Sequence, residues 1–193
     1  YHRHAEHITR HFSAKGNHLL FQAQRLIFAG GFFPEFRDAA RWRATGVGIL
    51  TREIGEQVSD AGMQYELDLH YHHESIDIFF KALQMMDANG HRGEFPAAYL
   101  ATVERMIDAY IDCSFPDYTT PLFSDNRFRE KEELMPYYRA WARVFPTNAA
   151  IRWMATEGRE GTAPEHLSRA LRTSGFYVLR SGWDADATVM VLK

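Results

Sequence analysis

The apolar residues of this chain change period once, and that change limits the fold more than any single motif. From Asn17 to the neighbourhood of Gly158 they recur at helical spacing, in blocks separated by Gly and Pro. From Ser174 they alternate instead, first as Phe176-Tyr177-Val178-Leu179-Arg180 and then from Ala187 to Lys193, with Gly182 to Asp186 as the loop between. Helices followed by strands predict a mainly α chain with a sheet behind it. The boundary is placed accordingly: a helical portion over 1–160, a linker over 161–173 containing Gly161 and Pro164, and the start of a sheet domain over 174–193.

Within the helical part the blocks can be bounded one by one. The first is predicted to begin at Asn17 as N-cap, to carry Leu20, Ala23 and Ile27 on one face, and to stop at Gly30-Gly31. The second runs from about Asp38 to Val58, and the third from about Leu69 to Ala88, ending at Asn89-Gly90. The fourth starts at Pro96 and runs toward Cys113. A shorter helix holds Tyr138, Trp141 and Phe145 with Pro136 near its first turn, and a last one follows Asn148. The third helix is apolar on two faces, Ile76, Phe80 and Leu83 on one and Ile78, Ala82 and Met85 on the other, so it is expected between layers.

Composition enters where it excludes functions. With 22 Lys and Arg against 25 Asp and Glu, a pervasive basic field for nucleic acid is absent, and no nucleic-acid partner is expected. The single cysteine, Cys113, cannot close a disulfide within the chain, and no Cys/His spacing of a zinc finger occurs. No apolar run approaches the ~20 residues of a membrane span. The sequence opens without Met and ends on an apolar alternation, so a piece from inside a longer protein is expected.

Three groups of residues have chemical potential. His4, His7 and His11 share a helix face, but no carboxylate partner accompanies them, and no metal site is predicted there. Gly16-Asn17-His18-Leu19 opens the first helix, and Gln64-Tyr65-Glu66-Leu67-Asp68-Leu69-His70-Tyr71-His72-His73 opens the third. In a series of helical hairpins those two helices run the same way, so Asn17, His18 and Tyr71 are expected at one rim, where helix N-termini favour an anion. Pattern alone favours capping and packing for these residues over catalysis, Asn17 as a cap and Tyr71 as a half-buried ring.

The order of the motifs adds a resemblance. Gly16-Asn17-His18-Leu19, Phe21-Gln22-Ala23-Gln24-Arg25, Ala29-Gly30-Gly31-Phe32-Phe33-Pro34-Glu35-Phe36, Gln64 through His72, Phe115-Pro116-Asp117-Tyr118-Thr119, Tyr138-Arg139-Ala140-Trp141 and Ser174 through Arg180 together resemble the heparinase III family, the heparan-sulfate lyases of polysaccharide lyase family 12. The resemblance implies part of an incomplete (α/α) toroid, followed by the first strands of an antiparallel β-sandwich. It implies that Asn17 engages a uronate carboxylate with His18 in support, and that Tyr71 transfers the proton. Gln64, Glu66, His70 and His72 would bind substrate, with His18, His70 and His72 as the cations that could lower the Tyr71 pKa. No cofactor or metal is called for. The implied partner is an acidic polysaccharide, heparan sulfate, met by a monomeric periplasmic or secreted enzyme. The family's further catalytic His belongs to the sandwich domain and is not within this stretch. An alginate or other uronate lyase, a non-catalytic carbohydrate-binding helical module, and a metal-binding helical protein built on the early His cluster are the rival readings.

Overall fold

The computed structural model describes residues 1–193 as seven α-helices followed by three strands. The helices are α1 (His2–Arg10), α2 (Asn17–Phe32), α3 (Ala39–Gln57), α4 (Leu69–Ala88), α5 (Ala97–Asp112), α6 (Lys131–Val144) and α7 (Ala149–Ala155). The strands β1 (Ser168–Leu171), β2 (Phe176–Arg180) and β3 (Val189–Leu192) form an antiparallel sheet in the order β1-β2-β3. The chain divides into two compact units, Tyr1–Gln57 with Glu74–Val103, and Val58–His73 with Glu104–Lys193. No helix is long and apolar enough to cross a membrane.

In the first unit, α2 and α3 pack as a hairpin around Leu20, Ala23, Leu26, Ile27, Trp42 and Leu50, all fully buried. The predicted stop at Gly30-Gly31 does not occur, because α2 continues to Phe32. These glycines serve contact instead of termination. A Cβ on Gly30 would lie 2.4 Å from the Ala39 carbonyl oxygen, and one on Gly46 would lie 2.5 Å from that of Ala23, so the two helix backbones approach closely only because both positions lack a side chain. The amide of Gln24 on α2 donates to the Ile78 carbonyl at 2.9 Å, and the Tyr99 hydroxyl donates to that of Phe79 at 2.9 Å. Ile76, Ile78, Phe79, Phe80, Ala82 and Leu83 are all buried, as a helix apolar on two faces requires.

In the second unit, α7 starts on a side-chain cap, the Asn148 oxygen accepting from the Ile151 amide at 2.9 Å. Pro136 does not sit in a first turn: α6 begins at Lys131 and carries the proline inside it. Burial of Leu134, Met135, Tyr138 and Trp141 on the same helix outweighs the hydrogen bond that proline removes. The sheet begins earlier than its alternation suggests, with β1 inside the stretch assigned to a linker. Along β2, Phe176, Val178 and Arg180 face inward. Arg180 donates to the carbonyls of Asp112 at 2.7 Å and Ser114 at 3.0 Å, and its guanidinium stacks 3.5 Å from the Trp183 ring. The opposite face stays open: Tyr177 is registered with Leu192 and Leu179 with Met190, and all four are more than two-fifths exposed.

Candidate functional site

Asn17 and His18 belong to the first unit and Tyr71 to the second, and each is positioned by its own local structure. Asn17 is the first residue of α2 and not its cap, because Gly16 takes that place with φ 76°. Such a backbone suits glycine. The Gly16 carbonyl accepts from the Leu19 and Leu20 amides. Asn17 is partly buried and His18 is exposed at the amino end of the helix, where unpaired amides and the helix dipole attract anions.

Tyr71 lies in the first turn of α4, at the end of a tight loop. Val58 bridges to Gln64, the Ser59 amide donates to the Met63 carbonyl, and the chain then turns through Leu67 at φ 55°. Asp68 ends the loop, its Oδ1 accepting from the amides of His70 at 2.8 Å and Tyr71 at 3.0 Å. The Tyr71 ring is partly buried beside that of His70, with centroids 5.3 Å apart.

Gln64 and His72, expected to contact substrate, are fully buried. They hold the loop. Nδ1 of His72 accepts from the Gln64 amide at 3.2 Å, and Nε2 donates to the Met106 carbonyl at 2.9 Å. The Gln64 side chain accepts from the Glu66 amide and donates to its carboxylate. Burial lowers the His72 pKa to about 4, against which the Met106 bond is a smaller effect, so the ring is neutral near pH 7. His72 therefore carries no positive charge there, whereas the His70 ring lies beside that of Tyr71. Glu66 and His70 remain partly exposed. His73, also fully buried, sits among Tyr110, Tyr137 and Trp141 with both ring nitrogens unpaired, and burial drives its pKa well below the usual value.

Two clusters lie apart from these residues. Donor atoms of His2, Glu6 and Asp38 fall within 4.8 Å of one another, not those of His4, His7 and His11. Arg41 pairs with both carboxylates and the Trp42 indole donates to Glu6, so their charge is already answered. In the second unit a cavity of about 470 Å³ is lined by Asp108, Asp112, Asn148, His166 and Arg169. There His166 meets Asp112 at 2.6 Å, and burial raises the Asp108 pKa to about 6. A further cavity, about 820 Å³, is a mainly apolar space along α1 and α2 lined by none of Asn17, His18, Gln64, Glu66, His70, Tyr71 or His72.

Comparison with known proteins identifies the family. The model of the Heparinase II/III N-terminus family matches residues 1–153, a stretch that contains Asn17, His18 and Tyr71. The chain belongs to that family. It is 53% identical over its whole length to a heparin-sulfate lyase of Bacteroides stercoris, of which it spans 29%. A solved heparinase III structure superposes with TM-score 0.96 at 53% identity, covering all of this chain and 30% of the other. A mutant of the heparan sulfate lyase HepC from Pedobacter heparinus gives TM-score 0.94 at 51% identity, with the same coverage. The chain thus spans less than a third of the relatives it matches.

Proposed function

We propose that this chain is part of a polysaccharide lyase that cleaves heparan sulfate by β-elimination at its 4-linked uronic acid. The observation that carries the reading is 53% identity along the entire chain to a heparin-sulfate lyase. In such a reaction the C5 proton leaves, the C4–O bond to the next sugar breaks and a C4–C5 double bond forms. The uronate carboxylate opposes the charge that gathers beside it at C5. Asn17, at the amino end of α2, donates its amide to that carboxylate, and His18 supports it, which lowers the barrier as an oxyanion hole does. Tyr71 is the proton-transfer residue, held at a fixed height on α4 by the capped turn beneath it.

The architecture proposed for the whole enzyme is an incomplete (α/α) toroid followed by an antiparallel β-sandwich. The helical hairpins support the first part. The open apolar face of Tyr177, Leu179, Met190 and Leu192 supports the second, because a sheet face of that composition calls for a covering layer. A periplasmic or secreted location and action as a monomer go with this reading.

The test uses a chain of the relatives' full length carrying this segment, incubated with heparan sulfate, heparin and alginate while ultraviolet absorbance of the unsaturated uronate is followed. The expected result is a rise on heparan sulfate that Tyr71→Phe abolishes with the circular dichroism spectrum unchanged. Turnover retained by Tyr71→Phe sinks the assignment, and a rise on alginate alone moves the substrate to another uronate polymer.

A further inference from the structure

We infer that Asp68 is a positioning residue for Tyr71, acting through the backbone of the first turn of α4; the inference rests on the lyase reading above. Asp68 is 2% exposed. Its Oδ1 accepts from the Tyr71 amide at 3.0 Å and the His70 amide at 2.8 Å, and its backbone carbonyl accepts from the His72 amide at 2.8 Å. One residue therefore fixes three consecutive amides, with Tyr71 in the middle.

The side chain that makes these bonds is a buried carboxylate, and burying one is unfavourable unless its oxygens are paired. Here Oδ2 is buried with no partner. The preceding residue, Leu67, stands at φ 55°, a conformation unfavourable for a side chain of that size. Two local costs thus fall at the point that sets where α4 begins and at what height it carries the phenol. Strain held at such a point by surrounding structure is characteristic of a site where geometry counts. The surrounding structure is present: Gln64 and His72 lock the loop from below.

The experiment measures steady-state cleavage of heparan sulfate by the full-length chain, as Asp68→Ala and Asp68→Asn, with Tyr71→Phe in parallel. A displacement of about 1 Å at a reacting group costs on the order of a hundredfold in rate. Asp68→Ala should therefore lose about a hundredfold in kcat with KM within about twofold, measured well below its unfolding temperature. Asp68→Asn keeps the accepting oxygen and should recover most of that loss. A kcat for Asp68→Ala near that of the parent, a loss confined to KM, or an Asp68→Asn as slow as Asp68→Ala each overturn the inference. No turnover in the parent, or full turnover in Tyr71→Phe, overturns the lyase reading and this inference with it, and neither result involves an Asp68 variant.

Discussion

Acid should loosen the second unit through one buried ring. His72 is fully buried and its pKa falls from 6.5 to about 4, chiefly through burial. In the unfolded chain the ring takes up a proton as pH drops through 6.5, while the folded chain refuses it until about 4. The folded-state value lies below the unfolded one for a base, so stability is fully present above 6.5 and is lost as pH falls toward 4. Each pH unit crossed is worth about 1.4 kcal/mol, which over that interval makes about 3 kcal/mol, with no reduction for solvent screening at a ring so enclosed. Protonation also has a direct structural consequence, since Nδ1 accepts from the Gln64 amide and a proton there ends that bond. The comparison is with His72→Gln, whose oxygen can accept from Gln64 and whose amide can donate to Met106 without titrating. Urea unfolding followed at pH 7.5, 6, 5 and 4 should show the parent losing about 3 kcal/mol more than His72→Gln across the series. Groups common to both, His73 and Asp108 among them, cancel in that difference. Parallel pH profiles for the two proteins would refute the reasoning.

Three further variants test the packing and the polar cavity. Gly46→Ala should destabilise by about 1–3 kcal/mol in thermal or urea unfolding, because its new methyl meets the Ala23 carbonyl and Ile27. Gly48→Ala, two residues along the same helix with nothing within 4 Å of an added Cβ, should stabilise by about 0.5–1 kcal/mol. Asp108→Asn should raise the melting temperature at pH 7.5 and leave it unchanged near pH 4. Burial lifts the Asp108 pKa from 3.8 to about 6, so the folded chain carries an unfavourable charge only above that range. The gain should be about 1–2 kcal/mol once partial solvent contact is allowed for.

Much of the helical part was legible in the sequence. α4 and α7 begin where a cap residue precedes an apolar repeat, and β2 follows its alternation residue for residue. The misses share a cause: a residue type with a strong local meaning was used for a tertiary purpose. Gly30 permits a backbone contact, and Gly31 lies against Met85, so neither ends a helix. Pro136 is carried inside α6 by the burial around it. β1 was invisible because Ser168, Arg169 and Ala170 are exposed and only Leu171 is buried, leaving no alternation to detect. At the candidate site, Asn17, His18 and Tyr71 stood out through family resemblance, since their helical positions alone are equally those of packing residues. Asp68 had a readable signal, an acidic residue just before an apolar repeat. The burial of Gln64 and His72 had none, because both are polar residues whose surroundings depend on Met106 and on a loop bend at Leu67.

The open face of the sheet bears on how the protein is made. A ribosome adds roughly 5–20 residues per second. From the moment β3 emerges, Tyr177, Leu179, Met190 and Leu192 form an adhesive apolar patch, with the outer backbone of β3 free to pair with a neighbouring nascent chain. While those four side chains stand uncovered, a holding chaperone, or slower translation on a crowded polysome, would decide the yield of folded protein.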